Sequence, residues 1–196
     1  VAYEDNSDSS TVKARVGTVS GTSVSYGTEV SVAVGAEFTG IAYDSNSQKV
    51  VICYQDEGSS DQIGAKVGTV SGTDISFGSE ANFGNACYQT EIAFDSTANK
   101  VVVAYRRQSN NNLECAVGTI SGTSISFGSV VVAHDNTTGA RFGIAYDKNA
   151  DRTVIAYRDE GDSSRGKAIV GTISGTSISF GSEVQVQVQQ SDYISV

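Results

Sequence analysis

The chain has no proline, no methionine, no tryptophan and a single histidine. Without proline its turns fall to Gly, Asn, Asp and Ser, and 21 glycines fit many short elements joined by tight turns. Without methionine, Val1 is not a translation start, and the sequence predicts a processed or excised piece. Cations are scarce too, with 13 Lys and Arg against 22 Asp and Glu for a net charge of −9. Gripping phosphates takes a Lys/Arg patch, so a general nucleic-acid partner is excluded. No apolar run of 18 residues exists and no signal peptide is visible, which argues against membrane insertion through a helix.

Cys53, Cys87 and Cys115 are odd in number and lack CxxC spacing. They predict neither a zinc knuckle nor a full disulfide framework, but buried or incidental thiols. His134 has no Gly-x-Ser-x-Gly elbow or His-Glu-x-x-His motif beside it, so no enzyme and no catalytic residue is expected. Asn136-Thr137-Thr138 is a single glycosylation sequon, meaningful only on a eukaryotic secretory route.

What is present is a repeat. Val16-Gly17-Thr18, Val67-Gly68-Thr69, Val117-Gly118-Thr119 and Val170-Gly171-Thr172 recur at spacings of 51, 50 and 53 residues. A Ser-Gly-Thr turn follows each, at Ser20, Ser71, Ser121 and Ser174, and then an alternating segment such as Ile75-Ser76-Phe77 or Ile178-Ser179-Phe180. Period-two alternation across one unit predicts four strands: Gly40 to Tyr43, Lys49 to Gln55, Ile63 to Val70, and Asp74 to about Glu80. Hairpin-length links predict antiparallel neighbours.

One such meander cannot bury both faces, but several packed about an axis share a core. Residues 1–196 are therefore expected to form one all-β domain, a β-propeller of four blades with four antiparallel strands each. An open solenoid or a row of small sandwiches is the competing arrangement. Val1-Ala2-Tyr3 aligns with Ile155-Ala156-Tyr157, so the chain begins inside a second strand, and Tyr193-Ile194-Ser195-Val196 resembles a first strand. The two ends predict closure by pairing of the C-terminal strand with the N-terminal one, with a piece cut from a longer array as the rival.

The phrases Val-Gly-Thr-Ile-Ser-Gly-Thr-Ser-Ile-Ser-Phe-Gly-Ser (117 to 129 and 170 to 182) and Lys-Val-Val-Val-Ala-Tyr (100 to 105) resemble repeats in tail-associated proteins of marine bacteriophages and surface proteins of aquatic microbes. The resemblance covers almost the whole chain. It implies an extracellular or virion-surface β-propeller of host-recognition or adhesive, lectin-like type, and brings no catalytic motif.

Comparing the units divides their loops. Asp44-Ser45-Asn46-Ser47, Asp95-Ser96-Thr97-Ala98 and Asp147-Lys148-Asn149-Ala150 are nearly constant, as are the Ser-Gly-Thr turns; both fall on one rim, which reads as structural. The opposite rim diverges, and divergent loops on a repeated scaffold are where binding is normally placed. Candidate ligand-binding residues there are Asp56, Glu57, Tyr88, Arg106, Arg107, His134, Arg141, Asp159, Glu160 and Tyr193. Planar hydrogen-bonding groups beside aromatic rings suit a surface glycan, although tryptophan is absent. A partner protein is the other ligand class, and a structural repeat that self-associates into a virion or surface filament is the alternative function. No cofactor is expected. Calcium is suggested by Asp5, Asp8, Asp56, Asp61, Asp159 and Asp162, but their spacing is not that of an EF-hand and the third unit has Arg106-Arg107-Gln108 instead.

Overall fold

The structure, a computed structural model, describes residues 1–196 except Asn136, Thr137, Asp192, Tyr193 and Ser195, and the side chain of residue 140. The first repeat holds β1 (Ala2–Asp5), β2 (Thr11–Ala14), β3 (Gly17–Ser20), β4 (Ser23–Tyr26) and β5 (Val30–Ala33). The second holds β6 (Ala36–Asp44), β7 (Lys49–Asp56), β8 (Gln62–Ser71), β9 (Asp74–Phe77) and β10 (Ala81–Phe83). The third holds β11 (Cys87–Asp95), β12 (Lys100–Arg107), β13 (Leu113–Ser121), β14 (Ser124–Phe127) and β15 (Val131–His134). The fourth holds β16 (Thr138–Asp147), β17 (Arg152–Asp159), β18 (Arg165–Ser174), β19 (Ser177–Phe180) and β20 (Val184–Gln190).

Each repeat is an antiparallel meander, as the hairpin-length links require. In the second, β6, β7 and β8 pair in order, and the outer edge of β8 is shared by β9 and β10. The expected continuous fourth strand from Asp74 to Glu80 is thus broken in two. The break falls at Gly78, whose amide donates to Val67 O at 2.9 Å. A Cβ on Gly78 would sit 1.9 Å from the carbonyl oxygen of Thr123 in the next repeat, so the strand gives way where its neighbour's turn presses in. Gly27 and Gly128 repeat this contact on Thr73 and Thr176, at 2.0 and 1.9 Å.

The inner strands β6, β11 and β16 lie side by side in chain order. Along β7, Ile52 and Tyr54 pack back on the first sheet while Val51 and Cys53 pack forward on the third. Two-residue alternation thereby feeds a separate core on each face of a sheet. Three such cores form, between sheets one and two, two and three, and three and four, each fully buried aliphatic side chain contributing about 1.5–3 kcal/mol. Cys53, Cys87 and Cys115 are free thiols buried in these cores, where burial pushes the Cys53 and Cys87 thiols up to about 12 and raises that of Cys115 further.

The first sheet has no strand inside β1, whose only pairing among the described residues is with β2. No described strand pairing and no core joins the fourth sheet to the first. The expected pairing of Tyr193 to Val196 with the N-terminal strand falls mostly outside the described residues. Of that segment, Ile194 packs on the fourth sheet itself, with Cδ1 3.2 Å from where a Cβ on Gly166 would stand.

The constant rim has a uniform cause. Asp44, Asp95 and Asp147 each accept the backbone amide two residues on, at 2.8, 2.9 and 2.9 Å, closing the same Asx turn. These turns also link sheets, as Asn46 donates to Ser96 O at 3.3 Å and Thr97 Oγ1 meets Tyr146 OH at 2.6 Å.

Candidate functional site

A cleft of about 370 Å³ opens at the divergent end of the inner strands, lined by Phe38, Thr39, Tyr88, Gln89, Thr90, Glu91, Arg106 and Arg141. It draws on β6, β11, β12 and β16, so three sheets meet there. Phe38 has φ +49°, an unusual value for a bulky side chain, and sits where the β6 to β7 register shifts between Glu37 and Gly40. The bulge leaves its ring 45% exposed. Across the cleft the guanidinium of Arg106 lies over the Tyr88 ring, 4.8 Å from its centre. Burial raises the carboxyl of Glu91.

Three buried polar atoms of this cleft, Thr39 Oγ1, Gln89 Oε1 and Arg106 Nε, have no hydrogen-bond partner among the described residues. Buried polar atoms are nearly always satisfied, and exceptions call for a cause. All three residues line this one concave surface. The cleft thus offers an acid, two guanidiniums, two aromatic rings and short polar side chains, a set that holds hydroxyl-rich or anionic groups beside a flat apolar face.

Of the predicted ligand residues, Tyr88, Arg106 and Arg141 converge here, and the other described ones lie elsewhere. Asp56 is buried and caps a 3₁₀ turn (Glu57–Ser59), accepting from Gly58 N at 2.9 Å. Glu57 is exposed on that turn. Asp159 caps the matching turn (Glu160–Asp162), accepting from Asp162 N at 3.1 Å, and Glu160 approaches Arg158 at 3.5 Å. Arg107, one residue beyond Arg106 and so on the opposite face of β12, pairs with Glu114 at 3.2 Å. Tyr193 is outside the described residues. The cleft residues the sequence did not single out are Phe38, Thr39, Gln89, Thr90 and Glu91. One signal was available, because Glu91 occupies the position held by Gly40 and Gly143 in the neighbouring units.

His134 lies between sheets three and four, with Nδ1 2.5 Å from Glu183 Oε1 and Nε2 3.5 Å from Asp159 Oδ1, the latter outside hydrogen-bond geometry. His134, Asp159 and Glu183 have the donor types of a metal centre. Lys167 Nζ, however, lies 2.6 Å from Asp159 and 3.4 Å from both Asp162 and Glu183, so an ammonium already neutralises these acids. Sheet one repeats the arrangement, with Lys13 2.7 Å from Asp5, 2.9 Å from Asp8 and 3.2 Å from Glu29. Four of the six acids that suggested calcium, Asp5, Asp8, Asp159 and Asp162, thus pair with a lysine. Among the described residues Asp61, another of that set, accepts Gln108 Nε2 at 3.2 Å.

The geometry defines an all-β protein with a propeller-like stack of antiparallel sheets. No family model matches the chain, and no curated protein sequence is similar to it. Among solved structures it is similar to a β-propeller chain in the crystal structure of a nidogen/laminin complex, with a TM-score of 0.52 and 12% identity over 98% of this chain. The chain spans 64% of the length of that structure.

Proposed function

We propose that this chain is an extracellular or virion-surface recognition module, a platform of four propeller blades that binds a surface glycan in the axial cleft and performs no chemistry on it. The observation that carries the reading is the set of unpartnered polar atoms, Thr39 Oγ1, Gln89 Oε1 and Arg106 Nε, beside the exposed Tyr88 ring. Each buried unsatisfied group costs about 1–3 kcal/mol, a deficit that sugar hydroxyls or a carboxylate would relieve. The ring offers the flat face that sugars stack on. The rim acids support a binding rather than a catalytic role, since Asp159 is held by Lys167 and Glu114 by Arg107.

A glycan array probed with the protein and with Tyr88→Ala tests this. The expected result is a defined set of bound glycans that the variant loses. Retention of the full set by Tyr88→Ala would remove the cleft from the account. A protein ligand on the same platform is the second reading, favoured by the matched structure being a complex of two proteins; an array with no bound glycan would move the search there.

A further inference from the structure

The three interfaces between sheets are copies of one another. At each, the glycine that breaks the outer strand of one sheet abuts the carbonyl of the threonine in the next sheet's Ser-Gly-Thr turn: Gly27 on Thr73, Gly78 on Thr123, and Gly128 on Thr176. The fourth glycine, Gly181, meets nothing of the kind, its nearest neighbour being Val170 O at 3.8 Å from a Cβ position. The matching turn at the other end, Ser20-Gly21-Thr22, receives no glycine.

Side chains tell the same story. Ile75, Ile125 and Ile178 follow the Ser-Gly-Thr turn and are 9%, 7% and 3% exposed, whereas Val24, their counterpart in the first sheet, is 52% exposed. On the opposite face Val67 and Val117 are 0% and 1% exposed, while their counterpart Val170 is 43% exposed. Among the described residues the fourth and first sheets therefore each leave uncovered one half of an interface that is built three times internally. One is the Gly181 and Val170 face of the fourth sheet; the other is the Thr22 and Val24 face of the first.

We propose that these halves join between two copies of this chain, head to tail, with Gly181 of one seated on Thr22 of the other. Continuity with the internal interfaces argues for this partner, because each face carries one half of a contact that the chain already builds between its own sheets. Such a contact is heterologous, and it either closes into a ring or propagates as a filament.

The test is light scattering on a sizing column over a range of concentration, for the protein and for Gly181→Ala, Val24→Arg and Val170→Arg. All three positions have room or solvent in the isolated chain, so the variants keep its melting temperature. The protein is expected to associate and each variant to remain monomeric. Mixing Val24→Arg with Val170→Arg leaves one intact face on each and should give a dimer that grows no further. A protein that stays monomeric at every concentration overturns the proposal, whether the faces remain bare or close on each other within one chain. So does association that survives Gly181→Ala and both arginines.

Discussion

Arg106 lays its guanidinium over the ring of Tyr88, 4.8 Å from centre to centre, while its Nε has no partner among the described residues. The ring packs against the cation, and both residues line the cleft. Removing Arg106 takes away the guanidinium, and removing Tyr88 takes away the stacking surface together with the support of that guanidinium. Arg106→Ala and Tyr88→Ala should each weaken ligand binding about tenfold, in line with about 1–2 kcal/mol for a partly desolvated cation on an aromatic face. Arg107→Ala deletes the same charge from the opposite face of β12 and should leave affinity unchanged. Titration calorimetry on the three variants separates position from charge.

The glycine contacts between sheets predict a graded series. Gly78→Ala or Gly128→Ala would place a Cβ 1.9 Å from a backbone oxygen, and the resulting displacement should cost about 3 kcal/mol. Gly181→Ala meets no atom closer than 3.8 Å and should change the stability of the isolated chain by less than about 0.5 kcal/mol. Thermal melts in dilute solution read the difference.

Asp159 is buried with Lys167 and caps the turn that follows β17. Asp159→Ala leaves the Lys167 ammonium short of its nearest anion and should destabilise the fold by about 3 kcal/mol. Because Asp159 is not part of the cleft, the folded fraction should bind ligand as before. Urea denaturation checks the first statement, and binding below the transition checks the second.

Acid should weaken the first and fourth sheets through the same ion clusters. Hydrogen bonds from Lys13 and Ser7 hold the Asp5 carboxyl down at about 2. Burial works against the charged form of Asp159 and Glu183, but Lys167 and His134 outweigh it at Asp159, and Tyr157 and His134 do so at Glu183, leaving both below their usual range. Lowered folded values mean that the stabilisation is complete above the ordinary carboxylate range near about 4 and fades as pH falls through the folded values. Melting temperature should therefore hold steady down to mild acid and drop on approach to about pH 2, where Asp5 takes up its proton.

The thiols predict silence. With Cys53 and Cys87 raised to about 12 by burial, a disulfide exchange reagent should modify no cysteine of the native protein at neutral pH, because the thiolate is the reacting form. Full reaction should appear on unfolding in guanidinium.

The sheets were legible because period-two alternation and the Val-Gly-Thr and Ser-Gly-Thr marks are local, and each repeat confirms the others. The break of the outer strand at Gly78 was not, since it is imposed by Thr123, a residue of the next unit 45 positions on. The divergent rim drew attention to Tyr88, Arg106 and Arg141, which line one cleft, and also put forward Asp56 and Asp159, whose carboxylates are spent on turn amides and on Lys167. Sequence shows that an acid is present on a loop; whether its oxygens face solvent or cap their own chain depends on backbone geometry three-dimensional folding supplies. Phe38 entered the cleft only through a bulge, which no alternation pattern announces.

The most direct measurement is hydrogen–deuterium exchange of the protein with and without a glycan retained on the array. The account predicts slowed exchange in 38–41, 88–91 and 104–107, the strand ends that line the axial cleft, with the loops at 56–61 and 159–163 unchanged. Protection confined to those loops, or no protection at the cleft, would contradict it.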